Sequence, residues 1–163
     1  MFAFVRDPVY RFISASQFVK RHVDLGTSWM AGALGHGCIK EIRRIRTVSQ
    51  VMRSQLVQGV FDRLVANPAA RFNDVELCFA PQCLYLDASE RDAGRFAYLR
   101  LDEMEKAWSI LRAHGVVDAG VAPARARLNS SAPVLQADIG ESSLTQLRSW
   151  YRSDYMLCET KDL

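Results

Sequence analysis

The chain has 163 residues, of which 49% are apolar and 24% charged, and a net charge of +3. The length suits one ordinary domain, and the composition is that of a globular protein, not of a disordered tail, a collagen or a cysteine-stapled miniprotein. No apolar run approaches the roughly 18 residues of a membrane helix, and no basic leader precedes the apolar residues that open the chain.

The charge is unevenly spread. Residues 1–71 carry 11 Lys/Arg against 4 Asp/Glu, a net +7, and residues 72–163 carry a net −4. A basic half suits an anionic ligand, a nucleic acid or an acidic surface, and a solvated helix face would equally account for it. The cysteines, Cys38, Cys78, Cys83 and Cys158, form no C-x-x-C pair, and His36-Gly37-Cys38 is not completed to four ligands. They read as reduced thiols in a cytosol-like compartment, with no metal site.

In chain order, Phe2 to Val5 reads as a short buried strand. Asp7 and Pro8 suit the start of a helix that runs from Val9 to about Val23, with Phe12, Ile13, Phe18 and Val19 on its apolar side. The glycine-rich stretch from Asp24 to Gly37 reads as a loop or a broken short helix. Ile39 to Ala66 keeps an apolar stripe through Ile42, Ile45, Met52, Leu56, Val60 and Leu64, and predicts one long helix ended by Asn67-Pro68. A strand-like region covers Val75 to Leu86 with Pro81 inside it. Arg95 to Arg100 predicts a strand, and about Asp102 to His114 a helix stopped by Gly115. Residues 116–140 read as a loop, and about Ser142 to Met156 as a final amphipathic helix. Strands alternating with helices predict an α/β layered fold, helix-rich, with a parallel sheet and flanking helices.

The informative stretch is Phe4-Val5-Arg6-Asp7-Pro8-Val9-Tyr10-Arg11-Phe12-Ile13-Ser14. A strand ending at Arg6 and a helix starting at Pro8 put free N–H groups and a positive dipole end beside a guanidinium that can fork onto a phosphate. Ligands of open α/β sheets collect at such carboxyl ends. The residues therefore predict a phosphate-binding corner, with an Arg–Asp surface pair beside a capped helix as the plain alternative.

The same stretch resembles the 3′-phosphate-binding motif of the carbohydrate sulfotransferases, roughly F-V-R-[DE]-P-x-x-R-x-x-S-A, and Phe4, Val5, Arg6, Asp7, Pro8, Arg11, Ser14 and Ala15 all match it. Phe79-Ala80-Pro81-Gln82 resembles the family's H-[FW]-x-P-Q segment. Phe96 to Met104 resembles its strand before an acidic turn, and Asn129-Ser130-Ser131 resembles its Asn/Ser loop. Leu144 to Leu157, with Tyr151, Asp154 and Tyr155, resembles its terminal L-x-x-L-x-x-x-Y-x-x-D-[FY]-x-L pattern. The resemblance implies a P-loop-like layered fold and 3′-phosphoadenosine 5′-phosphosulfate (PAPS) as donor. It implies that Arg6 and Ser14 bind the cofactor's 3′-phosphate, and that Arg11 supports that corner. Arg125 and Arg127, just before Asn129, are expected in a loop that closes over the nucleotide.

Two departures shape the expectation. The family's glycine-rich loop, with its Lys and Ser/Thr, cradles the 5′-phosphosulfate; residues 1–163 contain no G-x-x-x-x-G-K. The chain is therefore expected to be a single sulfotransferase-like domain lacking that amino-terminal element, with the sheet open where missing strands would pair. A missing segment or a second copy of the chain is the partner this implies. Also, the His expected three residues before Pro81 is Cys78, and a thiol is a poor base near neutral pH unless its pKa is lowered. The catalytic base is unassigned; His36 is a candidate by its loop position.

The expected activity is transfer of a sulfuryl group from PAPS to a hydroxyl of a carbohydrate acceptor. Its rival is a non-catalytic remnant or interaction module that keeps only the 3′-phosphate corner. Arg43, Arg44, Arg46 and Arg53 could contact an acidic polysaccharide or the donor. Nucleic-acid binding by the 40–53 helix is a third reading, disfavoured by the lack of a nucleic-acid motif. Trp29, Trp108 and Trp150 could stack on sugars, although core packing is their ordinary role. The implied location is the cytoplasm in a bacterial setting, or the Golgi lumen if an anchor precedes these residues.

Overall fold

A computed structural model of the chain describes residues 2–86, 97–118, 120 and 133–158. The chain divides into two compact units. It passes between them after Asp7, after Pro81, before Pro133 and after Arg152, so proline stands at three of the four passages.

The first unit comprises residues 1–7, 82–132 and 153–163. Its strands β1 (Phe2–Val5) and β2 (Ala97–Arg100) pair in parallel, with Phe2 opposite Ala97 and Val5 opposite Arg100. Parallel pairing brings the two carboxyl ends, Val5 and Arg100, to the same edge. Val5, Tyr98 and Leu157 form one small core, and Leu99, Ala107 and Leu111 form another against the helix that follows β2.

The second unit, residues 8–81 and 133–152, is helical. It holds α1 (Pro8–Asp24), α2 (Ser28–Ala33), α3 (His36–Arg44), α4 (Val48–Met52), α5 (Gln55–Ala66) and α6 (Asp74–Leu77). In chain order α7 (Met104–Ala113) belongs to the first unit. α8 (Glu141–Trp150) closes the second, and α9 (Arg152–Cys158) carries the chain back to the first. The core of the second unit gathers Phe12 and Val19 of α1, Ile42 of α3, Val48 and Val51 of α4, Val57 and Val60 of α5, Phe79, and Leu147 and Tyr151 from the end of the chain.

The helix-rich character expected from the sequence is what the described residues have. Their strand content is one parallel pair, short of a layered sheet. The expected strand over Val75 to Leu86 is instead the helix α6 and a 3-10 turn at Gln82–Leu84. The cause is local. Asn73 Oδ1 accepts from the N–H groups of Val75 and Glu76, and the Glu76 carboxylate accepts from Asn73 N, a reciprocal cap that commits the chain to a helical turn.

The single helix expected over Ile39 to Ala66 is three helices, α3, α4 and α5. Two caps cut it. Thr47 and Gln50 form a capping box at the start of α4, and Ser54 accepts from Val57 N at the start of α5. The break at Ile45–Thr47 is held by a returning strand of chain. Gln136 N donates to Arg46 O and Gln136 O accepts from Val48 N, each at 3.0 Å. The region from Asp24 to Gly37, expected as a loop or broken helix, contains α2 and the first residues of α3. No described helix is long and apolar enough to cross a membrane.

Candidate functional site

Arg6 follows directly on β1 and its side chain is exposed. Its main chain is fixed by one side chain. Gln82 Nε2 donates to Arg6 O at 3.0 Å, and Gln82 Oε1 accepts from Arg6 N at 3.3 Å. The amide thus serves Arg6 as a neighbouring strand would, one donor and one acceptor to one residue. Gln82 is held in turn by Asp154, which is 0% exposed. Its Oδ2 accepts from Gln82 N at 2.8 Å and its Oδ1 from Cys83 N at 2.9 Å. A carboxylate taking two main-chain N–H groups makes charge-assisted bonds, among the stronger polar contacts a fold offers.

A parallel arrangement stands in the second unit. Arg11 of α1 donates through Nη1 to Cys78 O at 3.4 Å and through Nη2 to Ala80 O. The carbonyl between them, Phe79 O, accepts from the Tyr151 hydroxyl at 2.5 Å. The Arg11 guanidinium lies 5.3 Å from the Tyr151 ring centre, and Phe12 packs at 5.5 Å from Phe79 and 6.4 Å from Tyr151. Three successive carbonyls are thereby fixed by two side chains. Arg11 thus holds the main chain of residues 78 and 80.

The three stretches singled out in the sequence therefore interlock twice. Arg6, Gln82 and Asp154 do so in the first unit, and Arg11, Phe79 and Tyr151 in the second. Sequence reasoning had found these residues as pattern matches and had assigned Gln82, Tyr151 and Asp154 no role. The available signal was the i, i+3 spacing of Tyr151 and Asp154 and the place of Gln82 beside Pro81.

Ser14, expected to share a phosphate with Arg6, is exposed on α1 in the second unit, whereas Arg6 belongs to the first. Arg125, Arg127 and Asn129-Ser130-Ser131 lie outside the described residues. Cys78 is half-buried, and its Sγ lies 3.4 Å from Asp74 O, to which it donates. Burial pushes its pKa up, with Arg11 opposing and Asp74 adding to the rise. A thiol so shifted is a poor base near neutral pH. Cys38, Cys78 and Cys83 carry free thiols.

His36 opens α3 and is exposed. Trp150 stacks flat on Phe61, with centroids 4.1 Å apart and planes 7° apart, and is packed into the core region. Trp29 differs. It is 42% exposed and sits with Phe18 and His22 in a cluster of three rings. Among the described residues no three His, Cys, Asp or Glu are placed to hold a metal ion.

Compared with protein-family models, curated proteins and solved structures, the chain matches none.

Proposed function

We propose that the protein is of the sulfotransferase type, takes PAPS as donor and transfers its sulfuryl group to a carbohydrate hydroxyl. In this reading the described residues are part of a P-loop-like layered α/β fold. The observation that carries it is the Arg6 corner. An exposed guanidinium follows a parallel strand, its main chain is pinned by Gln82, and a 17-residue helix starts two residues later. Such a corner suits a dianionic phosphate, onto which the Arg6 guanidinium can fork. The interlocking of Gln82, Asp154, Arg11 and Tyr151 around the same motifs supports it further.

The resemblance assigns one half of the donor to residues of this chain. Arg6 and Ser14 would hold the 3′-phosphate, with Arg125 and Arg127 as further nucleotide contacts. When bound, PAPS supplies the sulfuryl group to be transferred. Arg6 orients the nucleotide by charge and by its fork geometry, and Arg11 keeps residues 78–80 in place without touching the ligand.

Cys78 favours a second reading. It stands where the resembling family has a histidine, and its thiol is shifted away from basicity. A protein that keeps the 3′-phosphate corner and performs no transfer is the alternative.

Calorimetry with 3′-phosphoadenosine 5′-phosphate against 5′-AMP tests the corner. The expected result is selective binding of the first, weakened about 10- to 100-fold by Arg6→Ala, the range of a lost charged hydrogen bond. Equal binding of both nucleotides, or an unchanged affinity in folded Arg6→Ala, would overturn the reading. Turnover of PAPS in the presence of mixed saccharide acceptors then separates enzyme from remnant.

A further inference from the structure

Residues 25–39 of the second unit hold no Lys, Arg, Asp or Glu, in a chain with 24% charged residues. The stretch is not buried: Leu25, Ser28, Trp29, Ala31 and Gly32 are exposed. Phe18, His22 and Leu25 share one helix face by their i, i+4 and i+7 spacing, and Leu25 N still bonds to Arg21 O at 2.9 Å. From α2, Trp29 lies on that face, its ring centre 6.0 Å from Phe18 and 5.6 Å from His22. Leu25 is 69% exposed, Trp29 42% and Phe18 41%. Core space is not what keeps Trp29 outside, because α2 already buries its neighbour Met30. Single exposed apolar residues are ordinary, but an uncharged surface that joins three large ones is not.

Cations border this patch on both sides, Lys20 and Arg21 before it and Lys40, Arg43, Arg44 and Arg46 after it. The two groups meet in space, since Lys20 Nζ and Arg46 Nη1 both donate to Arg43 O, at 3.1 and 2.9 Å. The acidic residues nearest in sequence are engaged. Asp24 takes the Lys20 ammonium at 2.6 Å, and the Glu41 carboxylate accepts from Gln55 N at 3.1 Å. Lys40 and Arg44 share a groove with Arg53 from the end of α4. All three are exposed, and among the described residues none of their side chains makes a hydrogen bond or an ion pair.

We propose that the end of α1 together with α2 docks on an anionic lipid surface, with Leu25, Trp29 and Phe18 entering the interfacial layer and the bordering cations on the headgroups. Charge complementarity selects this occupant. A polyanion in water would engage the cations and leave Leu25 and Trp29 against solvent. A purely apolar partner would leave Lys40, Arg44 and Arg53 unanswered. An acidic bilayer meets both at once: acyl chains for the uncharged centre, the headgroup layer for the amphipathic indole, and a negative surface potential for the rim. Long side chains held by no fixed partner suit a fluid array of headgroups, which demands no single geometry. The apolar centre and the basic rim are each weak alone and add to a reversible attachment. The docking rests neither on the Arg6 corner nor on sulfuryl transfer.

The test is co-sedimentation of the full chain with vesicles of phosphatidylcholine alone and of an equimolar mixture with phosphatidylserine. The mixed vesicles should bind about tenfold or more tighter, and salt should weaken them. Leu25→Ser with Trp29→Ser should lose about tenfold or more, and Val65→Ser with Val116→Ser, exposed apolar residues elsewhere, less than about twofold. Lys40→Gln, Arg44→Gln, Arg53→Gln should also lose about tenfold or more, against less than about threefold for Arg71→Gln, Arg112→Gln, Arg148→Gln. The mixed vesicles should blue-shift the tryptophan emission, and Trp29→Phe should abolish that shift while binding persists. Circular dichroism confirms that each variant is folded. No binding of the mixed vesicles by the folded chain, no Trp29-dependent shift, or equal losses in patch and control variants would overturn the proposal. A dimer in sedimentation velocity that Leu25→Ser with Trp29→Ser dissolves would show that a second copy covers the patch, and would overturn it too.

Discussion

The Tyr151 hydroxyl donates to the main-chain carbonyl of Phe79 from a side chain that is 0% exposed. The bond joins residues 72 apart in sequence. Tyr151→Phe keeps the ring and removes only this donor, leaving a buried carbonyl without its partner. The expected loss is about 1–3 kcal/mol of unfolding free energy by urea titration. A loss of under about 0.5 kcal/mol would mean that water or a local shift replaces the bond.

Asp154→Asn tests the other interlock. The amide can accept from one of the two N–H groups of Gln82 and Cys83, but presents its own N–H₂ to the other. A destabilisation of about 2–3 kcal/mol is expected, from the lost charge-assisted bond and the misplaced donor. Hydrogen exchange should show the amides of Gln82 and Cys83 losing protection first. Unchanged protection at both would show that Asp154 does not hold that turn.

Arg11→Lys separates support from ligand contact. Lysine keeps the charge but lacks the planar fork that reaches both Cys78 O and Ala80 O. Stability should fall by about 1–2 kcal/mol, while affinity for 3′-phosphoadenosine 5′-phosphate stays within about twofold at a temperature where the variant is folded. A large loss of affinity with stability intact would place Arg11 on the ligand.

Burial pushes the Cys38 thiol from its ordinary 9.0 up to about 11, with Glu41 and Glu76 adding to the rise. Between these values the unfolded chain sheds the proton first, so stability falls as pH rises from 9.0 towards about 11; below 9.0 the group contributes no slope. Cys38→Ala should flatten this part of the pH–stability curve. Alkylation of Cys38 in the folded protein, followed by mass spectrometry, should accelerate only as pH nears 11. An inflection near 9 would mean that the thiol is open to water.

The first strand and α1 were legible because a short apolar run, an Asp-Pro start and a periodic apolar stripe all agree. The strand Ala97–Arg100 was legible within Arg95 to Arg100 from its short apolar run, though its partner was not. What was misread turned on caps. Asn73-Asp74-Val75-Glu76 and Thr47-Val48-Ser49-Gln50 both carry the capping-box spacing, a signal that outranks apolar content in a short segment. A continuous stripe from Ile39 to Leu64 looks like one helix because each of three helices buries one side against the same core. The role of Lys20 was not legible at all. It is 3% exposed, with Nζ bonded to Asp24 and to Arg43 O. Only the i, i+4 spacing to Asp24 hinted at it, and the carbonyl partner comes from another helix. Of the candidate site, the sequence indicated Arg6 and Ser14. It also indicated Arg44 and Arg53 as anion contacts, but not that a broken helix sets Arg53 beside Lys40 and Arg44 of α3.

Gln136 fills the gap at Thr47, Gln17 of α1 bonds to the main chain of Val134 and Leu135, and Leu147 and Tyr151 complete the larger core. The helices α1 to α6 are thus made early in synthesis but are sealed by a segment made only after residues 82–132. A nascent chain that has reached Pro81 has its caps and its apolar stripes and no Tyr151 to cover Phe79. During translation those helices must wait with an open core, a period in which a chaperone or a neighbouring copy competes for the surface that residues 133–152 will occupy.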